Sequence, residues 1–177
     1  CVPHRRQSIL VARMTTPGDG PIDMSDRLRE RAKELTCLYQ VHDLTSDPER
    51  TPDDVCRGLV TAIPPGWLHP DSCWVKITIE SSVYEPPLVT ETPWALRAPV
   101  LVMGKPVGAV EVFYSRHFPK ADEGPFLKEE RRLIDAIAAL LGQYLTEWRL
   151  RGMVRHWHVA LERLPADDRR EWRIIVE

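Results

Sequence analysis

The feature that most constrains this chain is a long amphipathic segment, residues 122–148, which directly follows two strand-like segments within residues 94–115. Its apolar residues recur every three or four positions, as along one face of a helix, and not at every second position as in a strand. They are Phe126, Leu127, Leu133, Ile134, Ile137, Leu140, Leu141, Tyr144 and Trp148. Because this stripe is wide enough to face both a sheet and a partner helix, we expect an α+β domain that ends in a long helix.

Composition narrows the class of protein. The chain has 177 residues, of which 43% are hydrophobic, and this length suits one packed domain with an appendage. A net charge of −2 argues against general nucleic-acid binding. No run approaches the roughly 18 apolar residues of a membrane helix, and the basic N-terminal segment lacks the apolar run of a signal peptide. We therefore expect a cytoplasmic protein that binds neither nucleic acid nor membrane.

The sequence offers little for catalysis or metal binding. Its four cysteines, Cys1, Cys37, Cys56 and Cys73, are far apart and form no C-x-x-C pair, which argues against a zinc ribbon or a thioredoxin-type motif. We interpret them as small hydrophobic residues in a reducing compartment. The sequence contains no G-x-S-x-G, P-loop, H-E-x-x-H or G-x-G-x-x-G motif. The prediction is a non-enzymatic protein without a metal or a cofactor.

Periodicity and turn residues divide the chain into an arm, residues 1–22, a domain, residues 23–150, and a helical connector, residues 151–177. The sequence begins with Cys1 rather than Met and ends at Glu177 within an apolar pattern, so we expect a fragment whose output region is missing. Four helices are predicted: residues 24–45, residues 52–63 with Thr51 as N-cap, residues 122–148 and residues 152–164. The predicted strands are Cys73–Ile79, Ala95–Met103 and Val107–Tyr114, with weaker extended pieces within Tyr84–Thr90.

Charged residues inside three of the predicted strands form the strongest polar pattern. Strand alternation places Lys76, Arg97 and Glu111 on the face away from the helices, with Trp74 nearby. One interpretation is a binding site for a small anion, in which Arg97 donates two hydrogen bonds, Lys76 adds a second charge and Glu111 orients both. The other interpretation is a solvated network of ion pairs over a shallow face.

The apolar stripe of the long helix predicts a homodimer. Trp148 extends the stripe beyond the expected end of the sheet, and a large exposed apolar stripe usually has a partner. We expect Leu141, Tyr144 and Trp148 to pack in a parallel bundle with the first helix, through Leu28, Leu35 and Leu38, and with a second copy.

The order helix, helix, strand, short strands, hairpin and long helix resembles the GAF domain, in the compact form found in bacterial sensor kinases and in proteins with a phosphoenolpyruvate- and pyruvate-binding kinase region. The likeness spans residues 31–142. Its residues are RAKELTCLYQVHDL (31–44), GLVTAIPPGW (58–67), CWVKITI (73–79), ETPWALRAPVLVMGKPVGAVEVFY (91–114) and DEGPFLKEERRLIDAIAALLG (122–142).

This resemblance implies an antiparallel sheet of five or six strands with the N- and C-terminal helices packed on one face. It also implies a sensory or regulatory module that dimerises and regulates an attached output domain, such as a kinase or phosphotransferase region. The stretch from Glu80 to Trp94 is too short to enclose a large ligand. Two other functions stay open: a thiol-based redox enzyme of the same fold, and a purely structural dimerisation domain.

Overall fold

The computed structural model describes residues 24–162, so the predicted arm (1–22) and the end of the predicted connector (163–177) lie outside it. Its elements follow the predicted order. They are the helices α1 (Met24–Ser46), α2 (Pro52–Ala62) and α3 (Lys128–Glu162), the strands β1 (Cys73–Ile79), β2 (Ser82–Tyr84), β3 (Ala95–Val102) and β4 (Lys105–Tyr114), and two 3-10 turns (Pro64–Gly66 and Pro70–Ser72). The α+β class is therefore confirmed.

One open antiparallel sheet has the strand order β2-β1-β4-β3. It has four strands within residues 24–162, and not the expected five or six. The extended pieces expected within Tyr84–Thr90 do not add a strand after Tyr84. Pro86 and Pro87 carry no backbone N–H for a ladder, and Leu88 has a φ of +61°, which is incompatible with a strand.

The hairpin between β3 and β4 forms where the sequence predicts it. Val102 pairs with Lys105, which leaves a loop of two residues, Met103 and Gly104. Both have positive φ, 50° and 76°, as in the type I′ turns that suit the twist of two-residue hairpins. The expected turn was Gly104, Lys105 and Pro106, whereas Lys105 and Pro106 belong to β4 and Met103 belongs to the turn.

Strand alternation decides which face is buried. Every second residue of β3, from Leu96 to Val102, is buried, and the residues between them are exposed. The helices cover this face: α3 packs along β3, α2 contacts β1, and α1 packs mainly on α2, α3 and the first 3-10 turn. The resemblance placed the first helix on the sheet, whereas here α2 is the N-terminal helix that contacts β1.

The α1 surface that meets the core differs from the apolar face expected to pair with a partner. Cys37 and Val41 are buried, whereas Leu28, Leu35 and Tyr39 are exposed. At 100° per residue, the two sets lie on opposite sides of the helix. Leu38, expected at the dimer interface with Leu28 and Leu35, packs at the edge of the core. Apolar periodicity could not decide between two apolar stripes on one helix.

The interface residues expected on α3 need a similar correction. Leu141 and Tyr144 are 0% and 2% exposed and belong to the core of the single chain, and only Trp148 is partly exposed. The predicted break between the long helix and the connector is also absent, because α3 continues through Gly152 to Glu162. One glycine costs a helix only about 1 kcal/mol relative to alanine, so it does not end α3.

The first and last helices run in the same direction. A Cβ atom on Gly66 would lie 2.7 Å from Cys37 Cβ and 3.4 Å from Leu133 Cδ2, so Cys37 and Leu133 are at the same level. Further on, the Tyr144 hydroxyl donates to the Arg50 carbonyl oxygen at 2.7 Å, which fixes the segment after α1 beside the later part of α3. The chain therefore enters the domain at one end and leaves it at the other.

Candidate functional site

The charged residues expected to meet on the sheet lie in one row across three strands. Lys76 of β1 is the register partner of Glu111 of β4, and Glu111 is also the partner of Arg97 of β3. Their strand neighbours Val75, Val110 and Leu96 are fully or almost fully buried in the core. The row therefore lies on the opposite face, as alternation predicts, and a register shift of one residue would have buried it.

Each cation in the row has a carboxylate partner. Arg97 Nε lies 3.8 Å from Glu111 Oε1, which is an ion pair without a hydrogen bond. Lys76 Nζ donates to Glu91, and this hydrogen bond raises the pKa of Lys76. Arg97 is 69% exposed, whereas Glu111 is 19% exposed. The structure thus brings the predicted trio together and leaves the Arg97 guanidinium as its most accessible cation.

Sequence reasoning missed Glu91, which belongs to the connection between β2 and β3 (residues 85–94, called the crossover here). The two strands lie at opposite edges of the sheet, so the crossover must pass from one edge to the other. The Lys76–Glu91 contact places it over the outer face. At its end, Thr92 Oγ1 donates to the Tyr114 carbonyl oxygen at 2.7 Å. Loop residues have no periodicity from which such a contact could be predicted.

Trp74, expected beside the anion site, has a structural partner. It stacks on Phe113 with 4.3 Å between ring centroids and an angle of 9°. Both rings are almost fully buried, although they lie on the outer face of the sheet. This end of the outer face is therefore packed, whereas Arg97, further along β3, is exposed.

A second polar cluster, which sequence reasoning also missed, centres on Glu130 on the core side. This carboxylate is 2% exposed. It accepts hydrogen bonds from the backbone N–H groups of Leu68 (3.0 Å) and Leu127 (2.7 Å) and from the Tyr114 hydroxyl (2.7 Å). Burial and the neighbouring carboxylate raise the pKa of Tyr114 far above its usual range.

The Glu130 cluster holds the beginning of α3 in place. Glu130 is the third residue of the helix, and its contact with Leu127 N–H is the reciprocal half of a capping box. Asp122 Oδ2 adds an acceptor for Lys128 N–H at 2.9 Å. With three donors bound in a site closed to solvent, Glu130 joins α3, β4 and the segment after the first 3-10 turn. The sequence predicted a helix from residue 122, whereas α3 begins at Lys128, so Glu130 could not be recognised beforehand as the third helical residue.

The thiols of the described chain are poorly suited to nucleophilic chemistry. Cys37 and Cys56 are buried, and burial raises the pKa of each thiol to about 12. Burial also raises the pKa of Cys73. Since the thiolate is the reactive form, these three cysteines are almost fully protonated at neutral pH.

The surface between α2 and the start of the crossover forms an open depression of about 540 Å³. Val60, Tyr84 and Pro87 are among the residues that line it, and the Arg57 guanidinium lies 5.8 Å above the Tyr84 ring. Arg57 is itself paired with Asp53 at 2.8 Å. The depression therefore has an apolar wall, and the Arg57 guanidinium that borders it is already paired with the Asp53 carboxylate.

Among residues 24–162, no three His, Cys, Asp or Glu side chains gather closely enough to hold a metal ion. No helix of this same stretch combines the length and the apolar character needed to cross a membrane. The chain matches no protein-family model, no curated protein and no solved structure.

Proposed function

We propose that this chain is a non-enzymatic sensory or regulatory module of the GAF type, which dimerises and regulates an attached output region in the cytoplasm. The observation that carries the proposal is that α1 and α3 run in the same direction. Cys37 of α1 and Leu133 of α3 both lie beside Gly66, and Tyr144, later in α3, bonds Arg50, which follows α1. A helix that enters at one end and another that leaves at the other suit a module inserted between two regions of a longer protein.

The order of elements supports the GAF part of this proposal. Two helices, a strand, a short strand, a hairpin and a long helix succeed one another as in the resemblance. The protonated thiols of Cys37, Cys56 and Cys73 speak against the redox enzyme. The pairing of Lys76 and Arg97 with carboxylates favours the second candidate, a structural dimerisation domain without a ligand.

The exposed face of α1 supports dimerisation. Leu28, Ala32, Leu35, Tyr39 and His42 are all exposed. Their spacing of four, three, four and three residues is that of a coiled-coil seam. A seam of this kind is expected to pack against the same seam of a second copy.

The dimer is tested by sedimentation equilibrium at micromolar concentrations. We expect a dimer for the wild type and a monomer for the double variant Leu35→Glu/Tyr39→Glu, because unpaired carboxylates are costly inside an interface. Gln40→Glu, which adds a charge on a different exposed side of α1, is the matched control and should stay dimeric. A wild-type monomer would contradict this part of the proposal.

Ligand sensing is tested separately, by thermal melts with inorganic phosphate and with acetate. If the outer face senses a small anion, phosphate should raise the melting temperature of the wild type and not that of Arg97→Ala. Arg27→Ala, which removes an exposed arginine from α1, should respond as the wild type does. Equal responses of the wild type and Arg97→Ala would favour the ligand-free dimerisation domain.

A further inference from the structure

The sheet is open, so β3 and β2 each have one edge without a neighbouring strand, and the edge at β3 is covered. Alternation of the ladder hydrogen bonds with β4 directs the backbone groups of Arg97, Pro99 and Leu101 toward this edge. The Arg97 carbonyl oxygen accepts a hydrogen bond from Arg131 at 2.7 Å, and Pro99 has no N–H group. At Gly142, α3 lies directly against the Leu101 carbonyl oxygen. The β3 edge is therefore closed to a further strand.

The edge at β2 has no such cover. The two-residue turn between β1 and β2 closes on the pair Ile79 and Ser82, which exchanges ladder hydrogen bonds. The next residue, Val83, therefore directs its N–H and C=O groups away from β1. Within residues 24–162, neither group has a hydrogen-bond partner, and the side chain of Val83 is 54% exposed. An exposed edge of this kind is a template for another extended chain.

The depression of about 540 Å³ described above lies beside this open edge. Val83 and Tyr84 of β2 line it on one side, Val60 of α2 and Pro64 on another, and Pro87 of the crossover closes one end. A strand that is added to a sheet edge directs alternate side chains to each face of the sheet. Every second side chain of a strand added to β2 would therefore face α2, where the depression offers an apolar wall.

The charge beside the depression favours a basic partner. Glu85 lines the depression and is exposed. Its neighbouring cations already have partners, since Arg57 pairs with Asp53 at 2.8 Å and Lys76 pairs with Glu91. Glu85 itself forms no ion pair within the part of the chain that the structure describes. A lysine or arginine of a bound segment would therefore be attracted to this carboxylate.

We propose that the β2 edge and the depression beside it form a docking site for an extended peptide segment of a partner protein. The segment adds to β2 as a further strand, and its backbone pairs with the N–H and C=O groups of Val83. One apolar side chain enters the depression, and a basic side chain next to it in the sequence pairs with Glu85. The site is additional to the dimer of the proposed function and does not depend on it.

A second copy of this chain fits the same edge less well. Its own β2 has three residues, too few to supply the roughly 800 Å² per partner of a stable interface. Residues 80–87 contain two glutamates and no basic residue, so the edge of a second copy lacks the charge that Glu85 attracts. A basic peptide segment meets both the backbone and the charge requirement.

Peptide selection and titration test the site. A phage-displayed library of short random peptides is selected against the wild type, and the consensus peptide is synthesised with a fluorescent label for anisotropy titration. We expect a consensus in which a basic residue stands next to an apolar one. Val83→Pro removes the outward N–H group at a position where an edge strand tolerates proline, and Val83→Thr keeps that group as the matched control. Val83→Pro should weaken binding at least about tenfold, and Val83→Thr less than about twofold.

A second pair of variants tests the charge and keeps the proposal testable if Val83→Pro fails to fold. Glu85→Lys reverses the charge beside the depression, whereas Glu49→Lys makes the same change at an exposed position that does not line it. We expect Glu85→Lys to weaken binding at least about threefold and Glu49→Lys to leave it unchanged, with the contrast fading at high salt. Equal affinities of these two variants would overturn the assignment of a basic partner.

The remaining outcomes decide whether the edge is used and by what. No enriched sequence, or a consensus peptide that binds Val83→Pro as tightly as the wild type, overturns the proposal. A wild-type dimer that becomes a monomer in Val83→Pro would show a second copy on this edge and would also overturn it. The α1 variant Leu35→Glu/Tyr39→Glu should keep the peptide affinity of the wild type, so a monomer that binds the peptide contradicts the dimer and leaves this site standing.

Discussion

A carboxylate lies on each side of β4, and the two differ in burial and in their partners. On the core face, Tyr114 reaches the almost fully buried Glu130, which accepts three hydrogen bonds from neutral donors. On the outer face, Glu111 is half-buried and lies 3.8 Å from an exposed guanidinium, without a hydrogen bond to it. A buried carboxylate is stabilising only while its donors remain in place, whereas an exposed pair is replaced by solvent at little cost. The core face should therefore be sensitive to single substitutions, and the charged, open part of the outer face around Arg97 should tolerate them.

The largest expected effect is that of Glu130→Ala. The Leu68 and Leu127 N–H groups and the Tyr114 hydroxyl would lose their acceptor in a closed site, and each lost partner costs about 1–3 kcal/mol. We expect the free energy of unfolding, measured by urea denaturation, to fall by at least about 3 kcal/mol. Glu129→Ala, at the exposed neighbouring position, is the control and should change it little. Equal effects of the two substitutions would break the contrast between the faces.

Gly142→Ala tests the close contact between α3 and β3 on the core side. A Cβ atom at residue 142 would lie 2.3 Å from the Leu101 carbonyl oxygen, so the helix or the strand must shift. We expect a loss of about 1–3 kcal/mol in the free energy of unfolding. Gly152→Ala is the matched substitution in the same helix, where nothing lies within 4 Å of the new atom. It should stabilise the protein by up to about 1 kcal/mol, and a loss at Gly152 as large as at Gly142 would contradict the steric explanation.

Arg97→Ala should have a small effect, since the exposed pair that it removes contributes about 0–1 kcal/mol. The measurement is again the urea midpoint, compared with that of Glu111→Gln, which removes the other member of the pair. If Arg97→Ala unfolds the domain, the guanidinium has a structural role and the outer face is not tolerant.

The smallest expected effect is a pH dependence at the Lys76–Glu91 contact. Because the hydrogen bond to Glu91 raises the pKa of Lys76, the folded chain holds this proton more tightly than the unfolded chain does. The contribution to stability is complete below the unfolded pKa, about 10.4, and is lost as the pH rises through the higher folded value. The stability difference between the wild type and Lys76→Met should thus shrink above about pH 10. A difference that is constant to pH 12 would sink this assignment.

The sequence allowed much of the local structure to be predicted. The bounds of α1, the Thr51 cap of α2, and the phase of β1, β3 and β4 followed from periodicity and turn residues. Because the phase was right, the row of Lys76, Glu111 and Arg97 was also placed on the correct face. These properties depend on residues that are close together in the sequence, so the spacing of apolar and turn residues is enough to predict them.

The remainder depends on contacts between distant segments. Glu91 meets Lys76 only because the crossover passes over the sheet, and Glu130 is buried only because Leu68 and Tyr114 close around it. The burial of Leu141 and Tyr144 had the same cause, since α1 and the segment after it fill the space that a partner was expected to occupy. The spacing of apolar residues predicts that a helix face is buried, but it does not show whether the same chain or a second copy buries it.

The parallel course of α1 and α3 has a mechanical consequence. A force that pulls the two ends of the domain apart acts along both helix axes in opposite directions. It therefore loads the packing between them in shear, so that the contacts around Gly66, at the level of Cys37 and Leu133, and the hydrogen bond from Tyr144 to Arg50 resist together and not one after another. A displacement of α1 along its axis would likewise reach the far end of α3 with little loss, because the helix that carries it is continuous from Lys128 to Glu162.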